Sequence, residues 1–191
     1  MDLLSREEML KHLEELNSRL AGINRSCSIT IFGGAAMALV HEARDATRDI
    51  DAKFRSSVEL RRLIKDISDD FEIDRDWLNN DGEHYITDRM RSSVYLEYSN
   101  LTVNTVETDC LLAMKLSSAR MDSNDMDDSI YLMDLLDIKS ENQLFDLIEK
   151  YIDDDNRAGA TKFFTSEAFL QFQLKKTQQQ TQLDGPAMTM G

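Results

Sequence analysis

At 191 residues with 41% hydrophobic content, the chain is long enough for one domain with a real core. A formal net charge of −14 argues against broad, non-specific nucleic-acid binding, which depends on neutralising phosphates. No apolar run approaches the roughly 18–20 residues of a membrane span, and the first residues lack the basic-then-apolar order of a signal peptide, so a cytoplasmic protein is expected.

Ser5-x-x-Glu8 is a capping box that opens a helix running to about Leu20, with Met9, Leu13, Leu16 and Leu20 at helical spacing. A short apolar strand follows at 28–33 and ends in Gly33-Gly34. The next helix is expected at 34–43 and the next strand at 48–54. Val58, Leu60, Leu63, Ile64 and Ile67 mark a helix over 57–69. Residues 70–92 read as irregular and polar. Val94–Tyr98 and Leu101–Val106 alternate around Ser99-Asn100 as a hairpin.

From Glu107 onward the pattern is helical. One helix carries Leu111, Leu112, Met114, Lys115 and Leu116, and a second carries Ile130, Leu132, Met133, Leu135 and Leu136. A third opens at the Ser140-x-x-Gln143 capping box, and a last one is expected at 166–176. The Gln- and Thr-rich tail is low in complexity, and disorder is expected over 179–191. The fold class is therefore α+β. A small mixed sheet with flanking helices occupies 1–106, and 107–178 is a helical C-terminal part of the same domain.

The chemistry concentrates around Asp49-Ile50-Asp51. Alternate residues of a strand share a face, so Asp49 and Asp51 project together while Ile50 points into the core. Two adjacent carboxylates suit a hard divalent ion, Mg²⁺ or Mn²⁺. Gly33 and Gly34, just upstream, let a phosphate chain approach the start of a helix, where free N–H groups favour anions. A phosphate seat beside a metal seat points to nucleotide chemistry. Arg44, Arg48, Lys53, Arg55, Arg61, Arg62 and Lys65 bracket these carboxylates as a basic rim, or else are ordinary solvated helix faces. Cys27 and Cys110 have no metal-ligand spacing and read as buried thiols. His12, His41 and His84 form no catalytic or zinc pattern.

The run Gly33 to Leu39, then Arg44, Thr47 and Asp49-Ile50-Asp51, resembles the polymerase-β-like nucleotidyltransferases, and among them the bacterial branch related to AbiEii-type toxins. Trp77-Leu78-Asn79, Leu111 to Arg120 and Asp125-Met126-Asp127-Asp128 match as well. The resemblance spans roughly residues 29 to 140. It implies transfer of an NMP from an NTP to an RNA, tRNA included, or to a protein, in a toxin–antitoxin or phage-defence setting with an antitoxin-like partner. It also implies that Lys115 lies near the phosphates and that Asp128, supported by Asp125, belongs to the site. Catalytic residues are then Asp49, Asp51, Lys115 and Asp128. The nucleotide-binding set is Gly33, Gly34, Arg44, Thr47 and Lys115, with Arg44 and Thr47 orienting the aspartate loop.

Two departures stand out. Many relatives carry a hydroxyl after the glycine, where this chain has Ala35 and Ala36. Many also carry a third carboxylate on a following strand, where only Glu107 at the end of Leu101–Val106 is available. A catalytically weakened protein that binds nucleotide or a partner is the alternative.

Overall fold

The computed structural model describes residues 3–120 and 124–183. Strand β1 (Leu4–Ser5) leads into helix α1 (Arg6–Gly22) through the expected capping box: Ser5 accepts from the Glu8 N–H, and the Glu8 carboxylate reaches back to the Ser5 N–H. Strand β2 (Cys27–Ile31) runs into helix α2 (Gly33–Leu39). Then come β3 (Ala46–Thr47), β4 (Ile50–Phe54), helix α3 (Val58–Phe71), β5 (Leu78–Asn79) and the hairpin β6 (Ser92–Glu97) and β7 (Leu101–Val106). Helices α4 (Thr108–Ser118), α5 (Asp125–Leu135), α6 (Glu141–Tyr151) and α7 (Thr161–Leu183) complete the described chain.

The main sheet has the order β5-β4-β2-β7-β6, with β2 antiparallel to β4 and parallel to β7, so it is mixed as expected. Ile50, Ala52 and Phe54 of β4 join Ile29, Ile31, Leu101 and Val103 in one core, against α1 and α3. A second core gathers Phe32, Ala36, Met37 and Val106 with the apolar residues of α4 to α7. Helix α2 lies between the two cores and contributes to both.

The expected elements differ from the observed ones mainly at their ends and in the irregular span. Within 70–92 the chain forms β5, paired with β4 through Ile50↔Leu78 and Asp51↔Asn79. A two-residue strand shows no periodicity from which to be read. Trp77, just before it, is fully buried, and its indole N–H donates to the Ile64 carbonyl at 3.1 Å. Helix α7 begins at Thr161 and continues to Leu183, so the first part of the expected tail is helical, and 184–191 lies outside the described residues. Among the described residues no helix is long and apolar enough to cross a membrane.

His12 is a buried histidine in the first core, with its ring 5.1 Å from that of Phe71 and 5.6 Å from that of Trp77, both edge-on. Neither ring nitrogen has a hydrogen-bond partner among the described residues. Burial pushes its imidazole below the ordinary range. The unfolded chain therefore binds this proton more tightly than the folded one, and stability is lost as pH falls through about 6.5. His12→Leu should raise stability at pH 7 by about 1–2 kcal/mol by removing an unsatisfied buried group. It should also flatten the decline between pH 7 and 5, as read by urea unfolding at both pH values.

Candidate active site

The turn between β2 and α2 is built around two close approaches. Gly33 has φ +61°, in the left-handed region, and a Cβ there would stand 3.1 Å from Asp51 Oδ2. A Cβ on Gly34 would collide with Thr47 Oγ1 and lie 3.4 Å from a guanidinium nitrogen of Arg44. Gly33 is thus fitted to Asp51, and Gly34 to the Arg44–Thr47 pair, which holds the turn from the other side. The first N–H groups of α2 have no intrahelical acceptor, as at any helix start.

Strand alternation sends Ile50 and Ala52 into the core and turns Asp51 to the opposite face of β4. Asp49 directly precedes the strand. Asn79 Nδ2 on β5 donates to Asp49 Oδ2 at 3.2 Å and also favours the ionised form of Asp51. Asp49 is pushed up to about 6, first by burial and then by the neighbouring Asp51 charge, against the pull of Arg48 and Asn79. Asp51 is raised too, by burial, although Arg120 and Lys115 act in the other direction. The two carboxylates repel each other in a half-buried place, and such a pair favours a cation.

The helical half supplies a charge network. Lys115, on the otherwise apolar α4, is buried with its Nζ 2.6 Å from Asp125 Oδ1 and 2.8 Å from Asp128 Oδ2. Asp125 and Asp128 share a face of α5 at i, i+3. Ser118 Oγ adds a bond to Asp125 Oδ2 at 3.0 Å. From the loop after α2, Arg44 grips Asp128 with both arms of its guanidinium, one from Nε to Oδ1 at 2.8 Å and the other on Oδ2. Arg44, Lys115 and Asp128 are therefore in direct contact, and the Lys115 charge reaches Asp51 through space.

Part of the expected basic rim is elsewhere. Helix α3 packs on the Ile50–Ala52 face of β4, opposite Asp51. Its Arg62 and Lys65 pair with Asp66 and Asp69 one turn along, and Arg61 donates to Ser56. These three are solvated helix cations. A third carboxylate is not on the strand. The residues of β7 that share the Asp51 face are Thr102, Asn104 and Val106, and Glu107 is the N-cap of α4. Asn104 is committed to Ser28 Oγ at 2.9 Å and the Ile29 carbonyl at 3.1 Å. Among the described residues no group of three or more His, Cys, Asp or Glu is placed to hold a metal. The Asp49–Asp51 pair nevertheless fits Mg²⁺, which takes one or two protein carboxylates and completes its shell from water and substrate phosphates. Asn79 and Ser118 are contacts that sequence reasoning did not assign. Asn79 sits in the quoted Trp-Leu-Asn run, but nothing local shows that it faces Asp49.

A mixed sheet whose glycine turn leans on Asp51, with Asp49 just before the same strand and a helical half behind, is consistent with a nucleotidyltransferase core. The chain belongs to the family described as "Nucleotidyltransferase of unknown function (DUF6036)", which matches residues 8–177. No curated protein and no solved structure gives a significant match.

Lys115 is buried between Asp125 and Asp128, so its loss bears on stability. Lys115→Ala leaves Asp125 and Asp128 buried with one cation fewer and should destabilise by about 3–5 kcal/mol in urea unfolding. Asp49→Asn should do the opposite. A carboxyl raised to about 6 lowers stability wherever it is ionised in the folded state. That penalty is present in full above pH 6 and disappears as pH falls below the unfolded value of about 4. The variant should therefore melt higher than the wild type at pH 8 and level with it at pH 4, measured by differential scanning calorimetry.

Proposed function

We propose that the protein is a Mg²⁺- or Mn²⁺-dependent nucleotidyltransferase that moves an NMP from an NTP to an RNA, tRNA included, or to a protein acceptor. The observation that carries this reading is the approach of Gly33 to Asp51, which sets an anion-favouring helix start directly beside two carboxylates. A divalent ion held by Asp49 and Asp51 would supply charge neutralisation and orientation of phosphate oxygens. The protein's own residues do the rest. The backbone at Gly33 and Gly34 receives the phosphate chain. Lys115 and Arg120, whose charges already act on Asp51, offset the triphosphate charge. Arg44 and Thr47 hold the turn, and Asp128 fixes Arg44 and Lys115 in place. The resemblance to AbiEii-type toxins extends the reading to a cytoplasmic toxin–antitoxin or phage-defence role with an antitoxin-like partner.

A second reading has a specific observation behind it. The Asp51 face of β7 carries Thr102, Asn104 and Val106 and no carboxylate to activate an attacking hydroxyl, and Ala35 and Ala36 add no hydroxyl at the glycine turn. A nucleotidyltransferase fold that binds nucleotide or a partner without efficient transfer has this composition.

One experiment separates the two. The chain is incubated with each α-labelled NTP, Mg²⁺ or Mn²⁺, total RNA and cell protein, with Asp51→Asn in parallel. Label on RNA or protein that Asp51→Asn abolishes establishes the enzyme. In calorimetric titration the wild type should bind Mn²⁺ and NTP, and Asp51→Asn should lose both without unfolding. Metal-dependent NTP binding with no transfer to any acceptor leaves the binding protein. If Asp51→Asn binds metal and NTP as the wild type does, both readings of this site fall.

A further inference from the structure

Strand β5 is only Leu78–Asn79, yet its neighbours fix its place. The Trp77 carbonyl, just before it, accepts from the Ile50 N–H at 2.7 Å, and the buried Trp77 indole is bonded to the Ile64 carbonyl. Leu78 is buried and pairs with Ile50, and in the same parallel register Asn79 stands opposite Asp51. The Asn79 amide is in turn held at both ends. Its Nδ2 donates to Asp49 Oδ2 and to the Asp76 carbonyl, each at 3.2 Å, and its Oδ1 accepts from the Asp81 N–H at 3.1 Å. All three contacts agree on one orientation. A flipped amide would set its oxygen against two acceptors and its NH₂ against a donor.

We infer that Asn79 is a positioning residue for the carboxylate pair, holding Asp49 by Oδ2 so that its other oxygen is presented with Asp51 to a divalent cation. This rests on the metal-dependent reading proposed above. Among the described residues Asn79 is the one side chain bonded to Asp49, and it takes Oδ2. Pinning one oxygen removes the free rotation of the carboxylate before a cation arrives, which is the use of a hydrogen bond behind a metal ligand. The residue type suits this task. A lysine or arginine would also order Asp49, but it would cancel part of the charge that attracts the cation. An aspartate could still accept from the Asp81 N–H, but it would have no donor for Asp49. A neutral amide orders the carboxylate and leaves its charge to the metal.

Two measurements on the full chain test this. In calorimetric titration Asn79→Ala should bind Mn²⁺ about tenfold more weakly than the wild type, or worse, while keeping the wild-type circular dichroism spectrum. The second measurement needs no metal. In amide NMR spectra of the metal-free protein, the Asn79 side-chain protons should move and exchange faster with water in Asp49→Ala, which removes their acceptor. A residue that serves only the turn over 76–81 would leave those protons where they are. This arm decides the matter even if Asn79→Ala misfolds. Equal Mn²⁺ affinity in Asn79→Ala and the wild type overturns the inference, and so do side-chain protons indifferent to Asp49→Ala. A wild type with no affinity for Mn²⁺ is a different failure: it removes the metal-dependent reading itself, and the inference with it.

Discussion

The contact on which the rest of the structure depends is the grip of Arg44 and Lys115 on Asp128. Ionised groups taken out of water are tolerated only when paired and fully hydrogen-bonded. Here one carboxylate receives both arms of a guanidinium and an ammonium, and that ammonium also serves Asp125. The partners come from three places: the loop after α2, helix α4 and the start of α5. Apolar packing between α4 and α5 sets how near these helices lie. The charge network adds a directional constraint, since a slip of either helix would strand an ion in the core. The same contact ties the sheet half to the helical half at the level of the glycine turn.

From that anchor the geometry of the turn follows. Arg44 and Thr47 crowd Gly34, and Asp51 crowds Gly33, so the backbone of the turn is confined between two sets of side chains. The absence of a hydroxyl after the glycines has its own cause. Ala35 and Ala36 are fully buried, one in each core, on a helix that passes between the two. A serine there would bury an oxygen among apolar neighbours, at a desolvation penalty that only a partner could offset. In this chain the anion-favouring character of the turn therefore rests on backbone N–H groups.

The parts legible in the sequence were those whose signal is local. The glycine pair, the Asp-Ile-Asp alternation and both capping boxes are short-range patterns, and each lies within a residue or two of where it was read. Lys115 was conspicuous as a charge on an apolar helix, and Asp125 and Asp128 by their shared face. What the sequence could not display was partnership at a distance. Arg44 and Asp128 are 84 residues apart, and Asn79 meets Asp49 across 30. Strand β5 is too short for a period. The basic residues of α3 misled because proximity in sequence to Asp51 put them on the other side of the sheet. One strand residue separates the two faces, and a helix that packs on the Ala52 side carries its charges away from the carboxylates.

The helical half also shows why a helix can be long without a clear amphipathic signature. Helix α7 has apolar residues on opposite sides, so their directions cancel and a single-face reading finds little order. Its composition toward Leu183 is glutamine-rich and resembles that of a solvated tail. Yet an isolated helix end is marginal in water unless one of its faces is packed. The buried stripe formed by Phe164, Ala168 and Phe172 explains why the first four turns are helical. It does not explain why large side chains stand out on the other side of those same turns, where water would favour polar ones. On that other side Leu170 and Leu174 line a groove with Ile138 and Phe169 whose edges carry Lys139 and Lys176, so the alkyl stems of these cations share the apolar surface while their charges stay in water.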